Sequence, residues 1–358
     1  MVLHVSPLVL TTGLYSECDS LYFAIAGACA EQAANAGGNA NAYSLQRIKD
    51  KYDTGTSVPN GRNFNFVEND SAWMTGMRVH GSNMYITNRG NNNFLDSNDI
   101  KMFKLAITSS NGAPDQTLNI GTVMTSIDGF DLASNGTNIL LANFHGQGVQ
   151  SATLATAFDL TSTFTLTGSE KDSGGNGVRA CSWNDDGTKY YMGYGTGTNA
   201  SKVRQFTAAT AYQTASSDSE GTVLNLSFNN VADITFNPDG TKMYLAEHDG
   251  NLHQFTLTTA FDTSTAGSQI TVDVSDFFGN EGTSPSRPST NTGTTMWICG
   301  MHWNDDGTKL YINSLWGMTK TSAVNGSPSP ATVTGSNTAG SGTTSRTNTF
   351  AVIEFTVD

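Results

Sequence analysis

The sequence predicts an all-β fold, a six-bladed β-propeller of four-stranded antiparallel blades. Three observations predict it. A phrase recurs as VADITFNPDGTKMYLA at 231–246, VRACSWNDDGTKYYMG at 178–193 and ICGMHWNDDGTKLYIN at 298–313. Degenerate copies read FDLASNGTNILLA at 130–142, TGMRVHGSNMYIT at 75–87 and TGLYSECDSLYFA at 12–24. Aligned on the Tyr-like position, the copies fall at Tyr22, Tyr85, Leu140, Tyr191, Tyr244 and Tyr311, with steps of 63, 55, 51, 53 and 67 residues. Such a period is near that of a four-stranded propeller blade with lengthened loops.

Each element follows from local chemistry. Ile234 and Phe236 share one face of a strand, and Met243 and Leu245 share one face of the next. Period-two alternation marks half-buried strands. Between them Asn237-Pro238-Asp239-Gly240 reads as a hairpin turn: Pro presets φ, Asp bonds its own backbone and Gly takes the left-handed position. The NDDG runs at 184–187 and 304–307 do the same. A calcium loop would need further carboxylates at alternating positions, whereas Thr-Lys follows here. Third strands are expected at 252–257, 203–207, 149–154, 100–105 and 43–48, and fourth strands at 270–274, 223–228, 164–166, 118–120 and 64–67. Between them lie TAFDTS at 259–264 and TAFDLT at 156–161.

The last repeat ends on a third strand at 350–355, and residues 2–6 supply a spare strand. Pairing these two would close the ring and bury exposed edges. The expected layout is a single domain over 1–358. A closing strand at 1–6 precedes blades near 7–68, 69–123, 124–167, 168–228, 229–275 and 276–358.

Composition narrows the function classes. Charged residues make up 14 % of the chain and the net charge is −13. That balance disfavours nucleic acid and acidic membrane surfaces, which attract basic patches. No run of 18 apolar residues exists and residues 1–15 lack a basic leader segment, so neither a membrane span nor a signal peptide is expected. Cys181 and Cys299 hold the same inner-strand position and read as small buried hydrophobes. Cys18 and Cys29 flank a strand and could meet. There is neither Cys-x-x-Cys spacing nor clustered His, so no metal is assigned.

Candidate binding positions fall on loops. Residues 27–41, 88–98, 276–295 and 314–347 are long, variable connections, either solvated loop or a contact surface for a protein or glycan. Phe94, Leu315 and Trp316 are the apolar candidates on them. His145 and His248 follow second strands and are placed on the same face. Asp128, Arg179 and Asp233 begin innermost strands and are placed at the tunnel mouth. Two carboxylates beside an arginine make a poor calcium cage, and no nucleophile–base pair is legible. Trp183, Trp303, Phe236 and Leu132 align across blades and are read as seam packing rather than a sugar platform. Trp316 and Trp73 are off-register.

The phrases FNPDGTKMYLAEHDGNLHQFTLTTAFDTSTA and WNDDGTKLYIN resemble propeller repeats of structural proteins from marine bacteriophages, cyanophages among them, over about residues 125–320. They resemble more loosely the repeats of bacterial surface and lactonase-like propellers. The resemblance implies a non-enzymatic virion component, such as a decoration, fibre, knob or tail part. It would be made in a host cytoplasm and work outside, with other virion proteins or further copies of itself as partners and without a cofactor. Alternatives are a receptor- or glycan-binding head recognising host-surface sugar, and a lactonase-like hydrolase with a tunnel metal.

Overall fold

The computed structural model describes residues 41–52, 57, 59–65, 73–89, 99–105, 114–121, 124, 126–144, 148–174, 177–274, 298–314 and 349–357. Two compact units divide the chain, Met1–Ala42 and Tyr43–Asp358. The second holds every element described below.

Among the described residues a short helix α1 (Leu45–Tyr52) and strand β1 (Asn60–Asn65) come first. Four sheets follow, each laid out in chain order from inner to outer strand. The first is β2 (Trp73–His80), β3 (Asn83–Arg89), β4 (Asp99–Lys104) and β5 (Gln116–Asn119); the second is β6 (Ile127–Leu132), β7 (Asn138–Asn143), β8 (Gly148–Leu154) and β9 (Phe164–Asp172). The third is β10 (Val178–Trp183), β11 (Lys189–Tyr194), β12 (Lys202–Thr207) and β13 (Ser219–Asn225); the fourth is β14 (Val231–Phe236), β15 (Lys242–Glu247), β16 (Asn251–Leu257) and β17 (Ala266–Asp273). The fifth takes β18 (Ile298–Trp303), β19 (Lys309–Ser314) and β20 (Thr349–Thr356) from the C-terminal part of the chain, and β1 as its outer strand.

The ring closes at five. Inner strand β2 packs against both β6 and β18, and β10 and β14 complete the circle. Five apolar seams fill the gaps between neighbouring blades. The seam between the last and first blades holds Met77, Val79, Met84, Ile86 and Phe103 against Tyr311 and Val352. The six-bladed expectation is therefore corrected to five blades. The expected third strand at 43–48 is instead a corner followed by α1, and the segment near 64–67 lies in and after β1, which belongs to the last blade. The expected closing strand at 2–6 has no place on β20, because β1 and β19 occupy its two edges, with Asn63 opposite Ala351 and Ile312 opposite Ile353. Residues 2–6 and the repeat at 12–24, like Cys18 and Cys29, lie outside the described residues.

A recurring corner explains both the turn phrase and this closure. In three blades an aromatic residue after the third strand takes a left-handed backbone: Phe158 (φ 60°), Tyr212 (φ 58°) and Phe261 (φ 56°). Its ring covers the glycine of the blade's own hairpin, Gly136, Gly187 or Gly240, where any Cβ would strike it. Its N–H donates to that glycine's carbonyl, at 2.8 Å for Phe158 and 2.9 Å for the other two. The fifth blade borrows this corner from the far end of the chain: Tyr43 (φ 53°) covers Gly307 and donates to its carbonyl at 2.8 Å. Helix α1 then packs Leu45, Ile48 and Tyr52 into the seam between the fourth and fifth blades.

The Thr-Lys-x-Tyr part of the phrase is a latch between blades. Tyr191 Oη donates to Phe261 O at 2.6 Å and Tyr244 Oη to Tyr43 O at 2.5 Å. Lys189 Nζ and Lys242 Nζ donate to the same two carbonyls, at 3.3 and 2.9 Å. Tyr85 Oη donates to Phe158 O at 3.1 Å.

Candidate functional site

Each inner strand presents the same two positions to the propeller axis. The position nearer the hairpins carries Arg78, Asp131, Ser182, Thr235 and His302. Two residues earlier stand Gly76, Gly129, Ala180, Asp233 and Gly300. Five strands leave little room at this second level. A Cβ on Gly300 would lie 2.6 Å from Met77 N, one on Gly76 would lie 2.9 Å from Phe130 N, and one on Gly129 would collide with the Arg179 carbonyl. At these three positions close backbone approach requires glycine, whereas Ala180 and Asp233 hold the other two.

The space left on the axis is filled by one guanidinium. Arg78 is fully buried. Its Nε donates to Asp131 Oδ1 at 2.5 Å, Nη1 to Asp233 Oδ2 at 3.0 Å, and Nη2 to the carbonyls of Cys181 (2.9 Å) and Ile234 (3.0 Å). The first blade is thereby tied to the second, third and fourth. Met301 N–H donates to Asp233 Oδ2 at 2.8 Å and adds the fifth. Burial opposes the Arg78 charge, but Asp233 and Asp131 outweigh it and hold the guanidinium more firmly protonated than usual. Burial pushes Asp233 up to about 6, against the pull of Arg78 and two backbone N–H donors. At neutral pH both partners are charged.

Above this plug, on the hairpin side, opens a cavity of about 640 Å³. Its lining includes Asp131, Ser182, Thr235 and His302 from the axis and His80, Trp183, Phe236 and Trp303 around them. Phe158, Phe261 and Tyr43 join from the corners, and Ser134, Asp185, Asn237 and Asp305 from the hairpin tips. Trp183 and Trp303 are buried, and their Nε1 atoms have no hydrogen-bond partner among the described residues. Phe158, Phe236, Phe261 and Tyr43 are half-buried.

Two histidines meet in the lining, with ring centres 5.6 Å apart. His302 Nδ1 accepts from Val79 N–H at 3.2 Å, so the neutral ring carries its proton on Nε2. Burial, then the nearby Arg78 charge and His80, push its pKa well below the usual 6.5. His80 Nε2 donates to the Leu132 carbonyl at 2.9 Å, and burial lowers its pKa too. Both rings are neutral at neutral pH.

The opposite mouth holds two of the three residues assigned to it from sequence. A β-bulge interrupts the ladder between Ile127 and Gly129 and between Val178 and Ala180, and the skipped residues are Asp128 and Arg179. Bulges re-aim side chains in this way. Arg179 Nε lies 3.6 Å from Asp128 Oδ2, Nη1 lies 3.1 Å from His248 Nε2, and the guanidinium sits 4.9 Å from the Phe144 ring centre. His248 thus joins this cluster, whereas Asp233 is on the axis beneath the hairpin cavity. Phe94, His145, Leu315 and Trp316 lie outside the described residues. Trp183, Trp303, Phe236 and Leu132 do pack in seams and also line the cavity, a double role that sequence alignment alone did not reveal. The signal was present: axial positions that differ in every blade, beneath hairpins that are alike.

Among the described residues a hydroxyl–imidazole–carboxylate chain lies elsewhere. Thr271 Oγ1 lies 3.0 Å from His253 Nδ1, and His253 Nε2 lies 3.2 Å from Glu247 Oε2. Gln269 Nε2 also donates to His253 Nδ1 at 2.9 Å, and the imidazole stacks on Phe228 at 3.7 Å. None of these residues lines the cavity. The chain spans neighbouring strands as a cross-strand polar ladder.

No protein-family model matches the sequence, and no curated protein matches it. Similar solved structures include a functionally unknown protein from Desulfotomaculum acetoxidans, at 14 % identity and TM-score 0.40 over 67 % of this chain and 64 % of that one. The Myceliophteria thermophila Cps50 (Swd1) beta-propeller domain is similar at 8 % identity and TM-score 0.38, over 68 % and 67 %. A protein from Lactobacillus plantarum is similar at 15 % identity and TM-score 0.38, over 67 % and 64 %. This chain spans slightly less than two thirds of the first and third of these.

Proposed function

We propose that this propeller is a non-enzymatic binding and assembly protein, and that it binds through the hairpin-side cavity. The observation carrying the reading is the cup itself. Its volume of about 640 Å³ lies within the usual range for ligand sites, and the Arg78–Asp131–Asp233 plug closes the axis beneath it. Half-buried aromatic rings with a few convergent polar groups are the usual lining of such sites. The groups at its floor are spoken for: the single Ser182 O–H has Asp131 at 3.2 Å and the Trp183 carbonyl at 3.1 Å as alternative acceptors, and His302 Nδ1 is occupied by Val79. They serve structure and recognition rather than nucleophilic attack. The phage-propeller resemblance supplies the setting, a virion component whose cavity meets another virion protein or a host-surface molecule.

The test is a residue-resolved binding map on the full chain. Fragments of several chemical classes, neutral glycosides included, are titrated while amide shifts are followed. Binding that perturbs Ser134, Phe236 and Asp305 supports the reading. Binding confined to the opposite mouth around Arg179, or none anywhere on the hairpin side, overturns it.

A further inference from the structure

The cavity's charge identifies the class of its guest. Among the described residues its lining contains three carboxylates, Asp131, Asp185 and Asp305, and no Lys or Arg. The two histidines that line it are held neutral by burial. Beneath it, Arg78 is shared between Asp131 and Asp233, so one positive charge faces two negative ones. At the rim, Asp185 accepts from Ser134 Oγ at 3.1 Å and Asp305 from Gly81 N at 2.8 Å, neutral donors in both cases. The Asp305 side chain is 63 % exposed and lies 3.9 Å from His80 Nδ1, a neutral ring.

The lysines that could neutralise this rim are drawn elsewhere. Every second strand of the three NxDG repeats begins with one. Lys189 and Lys242 reach over the seams to the carbonyls of Phe261 and Tyr43, and Lys309 pairs with Glu354 at 3.3 Å. Two hairpin-tip carboxylates, Asp185 and Asp305, therefore face the central cup, while the repeat's ammonium groups are engaged elsewhere, two at seams and that of Lys309 within the fifth blade. What remains is a cup with excess negative charge whose walls include four half-buried aromatic rings, Tyr43, Phe158, Phe236 and Phe261. Aromatic faces attract cations through the ring quadrupole, and the effect grows as water is excluded. A carboxylate then anchors the charge and directs a charge-assisted hydrogen bond.

From this arrangement we infer that the cavity binds an organic cation, a guanidinium or alkylammonium group, set between the aromatic rings with Asp185 and Asp305 as its counter-ions. This inference rests on the cavity being the binding site. The cation's source is either a free small molecule or a basic side chain displayed by a partner protein.

Calorimetric titration of the full chain tests it with four probes: acetyl-arginine amide, acetyl-citrulline amide, a ten-residue peptide with one internal Arg, and a neutral methyl glycoside. Citrulline keeps the shape of arginine and removes the charge. Binding of the arginine probe is expected to exceed that of citrulline by about tenfold or more, and to weaken about tenfold in each of Asp185→Asn and Asp305→Asn, the scale of one charge-assisted contact. Both carboxylates are on exposed hairpin tips, so the variants should melt like the parent. A peptide that binds more tightly than the capped amino acid assigns the cation to a partner's side chain; equal affinities assign it to a free ligand. Equal binding of arginine and citrulline, or indifference to both substitutions, overturns the inference. Glycoside binding at the cavity without arginine binding removes the cation and leaves the cavity reading intact. No probe perturbing the cavity removes both.

Discussion

Arg78 Nη1 and Asp233 Oδ2 meet 3.0 Å apart on the propeller axis, from the first and fourth blades, which share no seam. The contact makes the centre of the ring a cross-link between elements that otherwise touch only their neighbours. Removing the guanidinium would leave Asp131 and Asp233 buried without their cation. Breaking a buried pair from one side typically costs about 3–5 kcal/mol. Arg78→Met should lose stability on that scale in urea unfolding, and a loss below about 1 kcal/mol would show that the axis is hydrated rather than plugged.

Stability should depend on pH through His302. Its pKa in the folded protein lies well below 6.5 because of burial, Arg78 and His80. The unfolded chain therefore takes up a proton near pH 6.5 that the folded protein refuses. The stability this supplies is fully present above pH ~6.5 and is lost as pH falls below it. Asp233 acts in the opposite sense. Its folded value of about 6 exceeds the ordinary carboxyl value near 3.9, so its contribution is present at low pH and is lost as pH rises through 6. The difference between the parent and His302→Asn isolates the histidine. The variant should show a flatter loss of stability from pH ~6.5 to ~5, and an unchanged slope would contradict the buried neutral ring.

Tyr244 holds the seam on which closure depends. Its hydroxyl donates to the Tyr43 carbonyl at 2.5 Å, beside Lys242 Nζ at 2.9 Å. Tyr244→Phe keeps the ring and removes one donor, an expected cost of about 0.5–1.5 kcal/mol. Chemical denaturation would measure it. A neutral outcome would mean that Lys242 satisfies the carbonyl alone.

Much of the fold was legible in the residues. The NDDG turns, the alternation of Ile234 with Phe236, and the aligned tyrosines located the hairpins and most strands correctly. Blade number was not legible, because the degenerate copy at 12–24 reads as a sixth repeat beside the strong ones, whereas the described sheets number five. Ala-Tyr-Ser at 42–44 spans the start of the expected third strand at 43–48. Set beside Ala-Phe-Asp at 260–262, it is the same corner, and an orphan corner ahead of the first complete blade belongs to the last blade, which lacks one. The axial plug was not legible. Arg78 and Asp233 are 155 positions apart in the chain, and only the closed ring brings them together. The cavity is hidden for a related reason: similar hairpins suggest a plain face, and only the closed ring brings the tips carrying Asp185 and Asp305 around one centre.

Close packing at the axis gives a steric prediction. A Cβ at Gly129 would strike the Arg179 carbonyl, a backbone atom that yields only if an inner strand shifts. Gly129→Ala should destabilise by about 1–3 kcal/mol despite its small size. Gly81, whose added Cβ would meet nothing within 4 Å, is the internal comparison. Its φ of 55° imposes a backbone cost that packing does not add to.

Ring closure carries every other statement, because the seams, the plug and the cup all require a fifth blade completed by residues 43–65. A cysteine pair at Asn63 and Ala351, directly opposed across β1 and β20, tests it in a chain whose Cys18 and Cys29 are replaced by Ser. Oxidation should link the two within one chain, seen as a single cross-linked peptide under non-reducing mass spectrometry. Failure of that link, with ready cross-linking between cysteines at Val5 and Val352 instead, would contradict the five-bladed ring.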